Sequence, residues 1–193
     1  MIASSGKKVI LIAWVIFILY TFIFSFSYLL FAILVILYLL YKSPEREIND
    51  DDAGVILSPA DAKVLAINID ENNKELSVIL KKSHISALYY SSELRAPIKC
   101  ENIQNIVKNG MQYSKNYFSN ANHIIFDKGI SMLVKPARFS IKNFNLQSSR
   151  KKGQRIGLLS SGLIELKLPY SSTLLVGVGD KILANSPIAN IGE

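Results

Sequence analysis

Cysteine, histidine and tryptophan are scarce in this chain of 193 residues, which contains one cysteine, two histidines and one tryptophan. Cys100 is alone, so the sequence excludes a disulfide framework and a cysteine-based metal site. The absence of disulfides indicates a reducing compartment for the soluble part of the chain. A dense basic stripe interleaved with aromatic residues is also absent, and we therefore expect no nucleic-acid partner.

Charge is missing from one long stretch, Val9 to Tyr41, which comprises 33 consecutive and mostly apolar residues. Such a run is typical of a membrane segment and is too long for the apolar core of a signal peptide. A single straight helix of this length would measure about 50 Å, against a hydrocarbon core of about 30 Å. We therefore predict a transmembrane α-helical hairpin in residues 1–42, broken near residues 21–27. One tilted span is the alternative.

Basic residues lie on both sides of the apolar stretch, with Lys7 and Lys8 before it and Lys42 and Arg46 after it. Because positive flanks stay in the cytoplasm, the hairpin places both termini on the cytoplasmic side. The formal net charge of the whole chain is +7. A mildly basic body beside a membrane suits an anionic lipid surface.

Residues 43–53 are interpreted as a polar linker and residues 54–193 as one β-rich domain. Turns are predicted at residues 70–74, a hairpin loop containing two asparagines, at Asp127–Gly129 and at Asn109–Gly110, and residues 111–122 are interpreted as a loop or short helix. His84 to Tyr90 is an apolar and aromatic stretch without an assigned structure. Strands are expected at Val55–Leu57, Lys63–Ile69, Glu75–Lys81, Ile98–Val107 (with a bulge), His123–Phe126, Ile130–Lys135, Phe139–Phe144, Ile156–Leu159 and Leu163–Leu168.

The tail, residues 171–192, contains three short β runs separated by Gly177, Gly179-Asp180 and Asn185-Ser186-Pro187. This pattern is similar to the half-motif that closes barrel-sandwich, lipoyl-like domains. The predicted fold class is therefore mostly β: a compact β-sandwich or barrel-sandwich-like domain behind the helical hairpin.

Several short motifs occur in a fixed order after the apolar stretch: Ser-Pro-Glu-Arg at 43–46, Ser-Pro-Ala-Asp at 58–61, Arg-Ala-Pro at 95–97, Gly-Gln-Arg-Ile-Gly-Leu at 153–158 and Leu-Pro at 168–169. Their order and spacing resemble the phosphatidylserine decarboxylases, most of all the short form of bacteria and archaea, of which this chain looks like a divergent member. The resemblance covers nearly the whole chain. It implies a bacterial inner (cell) membrane location and phosphatidylserine as lipid partner.

The resemblance implies a pyruvoyl enzyme of phospholipid biosynthesis. In that family a serine after a glycine attacks the preceding carbonyl, the chain splits, and the new N-terminal pyruvoyl group serves as the electron sink that converts phosphatidylserine to phosphatidylethanolamine and carbon dioxide. Carried over, the family's aspartate is Asp61 and the position of its histidine is Ser92. The pyruvoyl-forming residue corresponds to Ser161, or to Ser160 if the gap in this shorter segment falls elsewhere.

Three hypotheses follow from this comparison. The chain is a decarboxylase with rearranged catalytic residues, and His84 and His123 are the two histidines available to replace the family histidine. Alternatively it is an unprocessed, non-catalytic paralogue that binds lipid or pairs with a protein, including a second copy or a paralogue. The third is an unrelated membrane-anchored β-sandwich module. Loss of the histidine and of the Gly-Ser pair favours the second hypothesis.

Overall fold

The computed structural model describes residues 4–46, 48, 52, 54–71, 74–101, 103–107, 122–144 and 149–192. Residues 72–73 of the turn predicted at 70–74, the turn predicted at 109–110 and nearly all of the loop predicted at 111–122 lie outside the described residues.

Two apolar helices open the chain, α1 (Ser4–Phe24) and α2 (Tyr28–Leu40). They lie antiparallel, because the ring of Phe17 is 6.0 Å from that of Phe31 and Gly6 lies against Tyr41. The break at residues 25–27 falls within the predicted range, and Ser27 caps α2. Gly6–Phe24 is long and apolar enough to cross a membrane, whereas α2 has 13 residues.

A seven-stranded antiparallel sheet forms the centre of the rest of the chain, in the order β12-β2-β3-β10-β7-β6-β5. Its middle strand, β10, pairs with β3 along its whole length and with β7 along six residues. Buried apolar residues of β10, such as Ile164, Leu166 and Leu168, alternate with half-buried ones that include Glu165 and Lys167, as expected for a strand with one covered face. The strands are β2 (Ala62–Asp70), β3 (Glu75–Lys82), β5 (Gln104–Val107), β6 (Asn122–Ile125), β7 (Ser131–Pro136), β10 (Gly162–Pro169) and β12 (Lys181–Ile182).

Two three-stranded antiparallel sheets complete the domain, in the orders β1-β13-β11 and β4-β9-β8. All three sheets contribute side chains to one hydrophobic core. The mostly β class is therefore confirmed, while the sandwich arrangement stays a prediction. These strands are β1 (Val55–Leu57), β4 (Glu93–Arg95), β8 (Lys142–Phe144), β9 (Arg155–Leu159), β11 (Thr173–Leu174) and β13 (Pro187–Asn190).

One segment without an assigned structure forms a helix, and two expected strands are shorter than predicted. His84–Tyr89 forms a short helix, α3, because Ser83 and Ser86 make a reciprocal capping box at its start. The strand expected at Ile98–Val107 is reduced to β5, preceded by an isolated bridge between Cys100 and Arg150. The strand expected at Phe139–Phe144 begins only at Lys142, since residues 138–139 form a turn.

The strands of the central sheet end on two opposite sides, which have different surroundings. We call these two sides the helix-proximal edge and the helix-distal edge; they are the ends of the strands and not the outer strands β12 and β5. At the helix-proximal edge, Gly162 pairs with both Lys82 and Pro136. At the helix-distal edge, Glu75 pairs with both Asp70 and Pro169.

The chain leaves the helix-proximal edge in two segments that meet the helix pair. α3 follows β3 and contacts α2. The other segment is the turn at 137–140, after which Ile141 packs against the cluster of Ile10, Tyr41 and Leu158. This edge of the sheet consequently faces the helices.

Candidate functional site

The Ser160-Ser161 turn lies at the helix-proximal edge, between the end of β9 and the start of β10. The next residue, Gly162, has a φ of +156°, and a Cβ there would collide with the carbonyl oxygen of Lys135. Only glycine therefore fits where the chain enters β10 beside β7. This packing gives a structural reason for the Ser-Gly order that the sequence has in place of Gly-Ser.

Both serine side chains of this turn are buried and bonded to main-chain groups. The hydroxyl of Ser161 donates to the carbonyl oxygen of Lys82 over 3.2 Å. The hydroxyl oxygen of Ser160 accepts the N–H of Ile141 at 2.9 Å. The N–H of Ser161 donates to the hydroxyl of Ser140 at 3.1 Å. These contacts fix the turn, and among the described residues neither hydroxyl forms a hydrogen bond to a side-chain base.

Lys82 connects the sequence-distant parts of the site. Its side chain is 1% exposed, and its ammonium donates to the carbonyl oxygens of Ser91 at 2.5 Å and Asp61 at 3.2 Å. Through its own carbonyl it also holds Ser161. Burial lowers the pKa of Lys82 to about 8, while the negative charge of Asp61 acts in the opposite direction.

Sequence reasoning missed Lys82 because the predicted strand stopped at Lys81. The signal was present in the alternation of β3, in which Leu76, Val78 and Leu80 are buried in the core. Extending that period of two by one step places Lys82 on the inward face. A lysine at an inward position is rare enough to mark the site.

Asp61 lies in the turn before β2 and is 2% exposed. Its carboxylate forms a two-pronged ion pair with the guanidinium of Arg46, with Nη2 2.9 Å from Oδ2. Oδ1 also accepts the N–H of Ala184 at 2.9 Å. The acid implied by the resemblance is therefore committed to a structural pair with the residue six positions after α2.

Ser92, at the position of the family histidine, lies beside the serine turn. It is fully buried, and its carbonyl oxygen accepts the N–H of Leu159 at 2.6 Å. Its hydroxyl has no hydrogen-bond partner among the described residues. Asp61, Ser92 and Ser161 are thus brought together around Lys82, although none of the three forms a side-chain hydrogen bond to another.

Neither histidine takes the position of the missing base. His84 is exposed at the start of α3. His123 lies on β6, which is separated from β10 by β7, so that about 10 Å of sheet lies between their strands. The hypothesis that one of them replaces the family histidine therefore finds no geometric support.

A second buried charge network adjoins the site, centred on Glu93. This carboxylate, which is 2% exposed, pairs with Arg95 at 3.0 Å and Arg155 at 2.7 Å and accepts the hydroxyl of Ser43. Arg95 also donates to the carbonyl oxygen of Pro44 at 2.9 Å. Burial lowers the pKa of Arg95, and Glu93 opposes that shift.

The two networks join the motifs on which the resemblance depends. Arg46 of the first motif pairs with Asp61 of the second, and Arg95 and Arg155 of the third and fourth share Glu93. The segment that follows α2 is consequently bonded into the β domain. Because this pairing is non-local, no local pattern in the sequence revealed it.

A cleft of about 660 Å³ opens beside Asp61, between β2, β12 and α3. Basic and apolar side chains line it, a combination that can receive an amphiphile with an anionic head. Its walls include Lys63, Lys81, Lys181, Ile85, Tyr89, Tyr90 and Leu183.

Comparisons with protein-family models, with curated proteins and with solved structures give no match to this chain.

Proposed function

We propose that this protein is a membrane-anchored, phosphatidylserine-decarboxylase-like protein that binds phospholipid and stays unprocessed. The proposal that the chain stays unprocessed is supported above all by the hydrogen bond from the Ser161 hydroxyl to the main-chain carbonyl oxygen of Lys82. A serine hydroxyl is a weak nucleophile that needs a base within hydrogen-bond reach. An amide carbonyl is not such a base, so this geometry does not fit formation of a pyruvoyl group.

The surroundings of Ser161 agree with this proposal. Asp61, the acid expected to assist self-cleavage, is neutralised by Arg46, and both of its oxygens are engaged. Ser160, which stands where the family has glycine, has its side chain bonded to the N–H of Ile141. A buried and fully bonded serine turn is a stable end state rather than a strained precursor.

Membrane anchoring is supported by the surface of the two helices. Most of their large apolar side chains are exposed, among them Phe22 at 87% and Leu11 at 64%. A soluble monomer rarely exposes a contiguous apolar surface of this size. With Lys7, Lys8 and Lys42 at the same end of the pair, both helices enter the bilayer as a hairpin from the cytoplasmic side.

Phospholipid binding is supported by the cleft beside Asp61. Three lysines of the cleft, Lys63, Lys81 and Lys181, supply charge for a phosphate or carboxylate. Ile85 and Tyr89 of α3 supply the apolar wall along which an acyl chain can lie. Because α3 contacts α2, the cleft opens beside the proposed anchor, where a membrane lipid can enter it.

Lipid binding is tested by titrating the full chain in detergent micelles with short-chain phosphatidylserine and, separately, with phosphatidylcholine. We expect tighter binding of phosphatidylserine and about tenfold weaker binding after Lys181→Glu, since each lysine near an anionic head contributes about 1 kcal/mol and its reversal adds repulsion. Lys74→Glu, at the helix-distal edge, is the matched control and should bind as the unchanged chain does. Equal binding of the two lipids, or an unaffected Lys181→Glu variant, contradicts the proposal.

A self-processing decarboxylase is the second candidate. It is favoured by the convergence of Asp61, Ser92 and Ser161 around one buried lysine, together with the unbonded hydroxyl of Ser92. The two candidates differ in the mass of the mature chain. Two fragments divided at Ser160 or Ser161 identify the second candidate, and one intact chain identifies the first.

A further inference from the structure

The two segments that leave the helix-proximal edge carry unusually exposed apolar side chains. In α3, Ile85 is 67% and Tyr89 74% exposed, and in the turn at 137–140 Phe139 is 83% exposed. Large apolar residues are exposed singly on most proteins, but here they occupy both segments of one edge.

The position of these segments places them beside the end of the helix pair. α3 contacts α2 on one side. On the other side, Ile141, two residues after Phe139, packs against Ile10 and Tyr41. Their exposed side chains therefore continue the exposed apolar surface of the helices at the point where the chain enters the β domain.

The charge of the same surface is positive. Arg138 lies over the ring of Phe139 at 5.7 Å, and Lys142 is exposed three residues further along. Lys42 is exposed next to Tyr41, against which Ile141 packs. Residues 83–92 and 137–144 contain no acidic residue. Aromatic side chains combined with basic ones are typical of a protein surface at the headgroup level of an anionic bilayer.

We propose that α3 and the turn at 137–140 form a membrane-interfacial surface, in which Ile85, Tyr89 and Phe139 insert between the headgroups of an anionic bilayer on either side of the helix pair. This inference rests on the proposed membrane anchoring. It assigns the β domain a fixed orientation, with the helix-proximal edge of the sheet against the lipid and the helix-distal edge in the cytoplasm. The cleft beside Asp61 then opens at the bilayer surface.

The single tryptophan, Trp14 in α1, permits a direct test by fluorescence quenching. The unchanged full chain is reconstituted into vesicles of phosphatidylcholine and phosphatidylglycerol, with and without brominated acyl chains. Further reporters are placed in a Trp14→Phe background: Tyr89→Trp, Phe139→Trp and Ile85→Trp. Each replaces an exposed side chain, so folding is expected to be retained and is checked by circular dichroism.

Tyr170→Trp in the same background is the matched control. Tyr170 is 51% exposed and follows β10 at the helix-distal edge. The eight residues of β10, about 25 Å of strand, separate Tyr170 from the helix-proximal edge. We expect brominated lipid to quench Trp14 and the three interfacial reporters strongly and to leave the Tyr170→Trp reporter unchanged.

The outcomes separate this inference from the anchoring on which it rests. Unquenched Trp14 removes the membrane anchor and with it the inference. Quenched Trp14, with interfacial reporters that respond no more than Tyr170→Trp, overturns the inference and leaves the anchor intact. A blue-shifted but unquenched Phe139→Trp reporter shows that a second protein copy, rather than lipid, covers the surface, and it also overturns the inference.

Discussion

The two edges of the central sheet are built from the same strands and have opposite characters. The helix-distal edge ends in open turns, and its ion pair between Lys167 and Glu75, 2.6 Å apart, is substantially exposed. The helix-proximal edge buries Lys82 and Ser161 and lies next to the buried ion pair of Asp61. Buried polar groups reduce stability unless they are bonded, so their concentration at one edge makes that edge the candidate functional site.

The largest contrast is expected between two glutamates. Glu93→Gln should lower the free energy of unfolding by about 3–5 kcal/mol, because it leaves the guanidinium of the buried Arg95 without its carboxylate. Glu75→Gln, in the exposed pair of the other edge, should cost no more than about 1 kcal/mol. Urea unfolding of the full chain in detergent micelles, followed by circular dichroism, measures both. Equal losses would remove the distinction between the two edges.

Two glycines provide the next contrast. Gly162→Ala should cost about 3–4 kcal/mol or prevent folding, because its methyl group would meet the backbone of β7. Gly129→Ala, in an open turn with a φ of +71°, has no neighbour to displace and should cost about 1–2 kcal/mol for the left-handed conformation alone. The same unfolding experiment compares them. A Gly162→Ala protein as stable as Gly129→Ala would show that the close approach of β10 to β7 is not required.

Lys82 predicts a dependence of stability on pH. Its pKa is lowered in the folded protein to about 8 from 10.5, so between these values the unfolded chain binds more protons than the folded one. The free energy of unfolding should therefore rise with pH through this window, by an amount on the order of 3 kcal/mol. Below pH 8, Lys82 should make no contribution to the pH dependence of stability.

Lys82→Met should abolish that rise, and the exposed Lys63→Met should retain it. Urea unfolding at intervals between pH 7 and 10.5 compares the three proteins. Curves with the same slope for Lys82→Met and the unchanged chain would show that Lys82 keeps an ordinary pKa in the folded state.

The smallest effect is expected at Ser161. Ser161→Ala removes one neutral hydrogen bond to the carbonyl oxygen of Lys82 and should cost about 1 kcal/mol. Thr173→Ala, at an exposed position outside the core, should change stability by less than about 0.5 kcal/mol. Thermal or urea unfolding distinguishes the two, and a loss of several kcal/mol at Ser161 would mean that the turn depends on more than this bond.

The sequence predicted those parts of the fold that follow from local patterns. Short apolar and β-branched runs between turn residues located β2, β3, β9 and β10. Asp127-Lys128-Gly129 gave the turn before β7, in which Lys128 and Gly129 have positive φ. The serine turn was located by resemblance. α3 was not recognised, because its capping box involves two serines instead of the more familiar Ser and Glu.

The missing parts of the site depend on contacts between distant residues. Arg46 and Asp61 lie in separate motifs, and their pairing depends on how the segment after α2 returns to the β domain. Glu93 was overlooked because an acidic residue in a stretch without a predicted element is most often solvated, whereas here three polar partners converge on it. Burial of such residues is decided by the packing of all three sheets, which no short window of sequence contains.

The intact mass of the purified full-length chain tests the central claim most directly. The hydrogen bond between Ser161 and Lys82 predicts one uncut species of 21.5 kDa, both for the unchanged chain and for Ser161→Ala. Two fragments divided before Ser161 or Ser160, the smaller about 33 residues long and blocked at its N-terminus, would contradict the account if Ser161→Ala or Ser160→Ala abolished the cleavage.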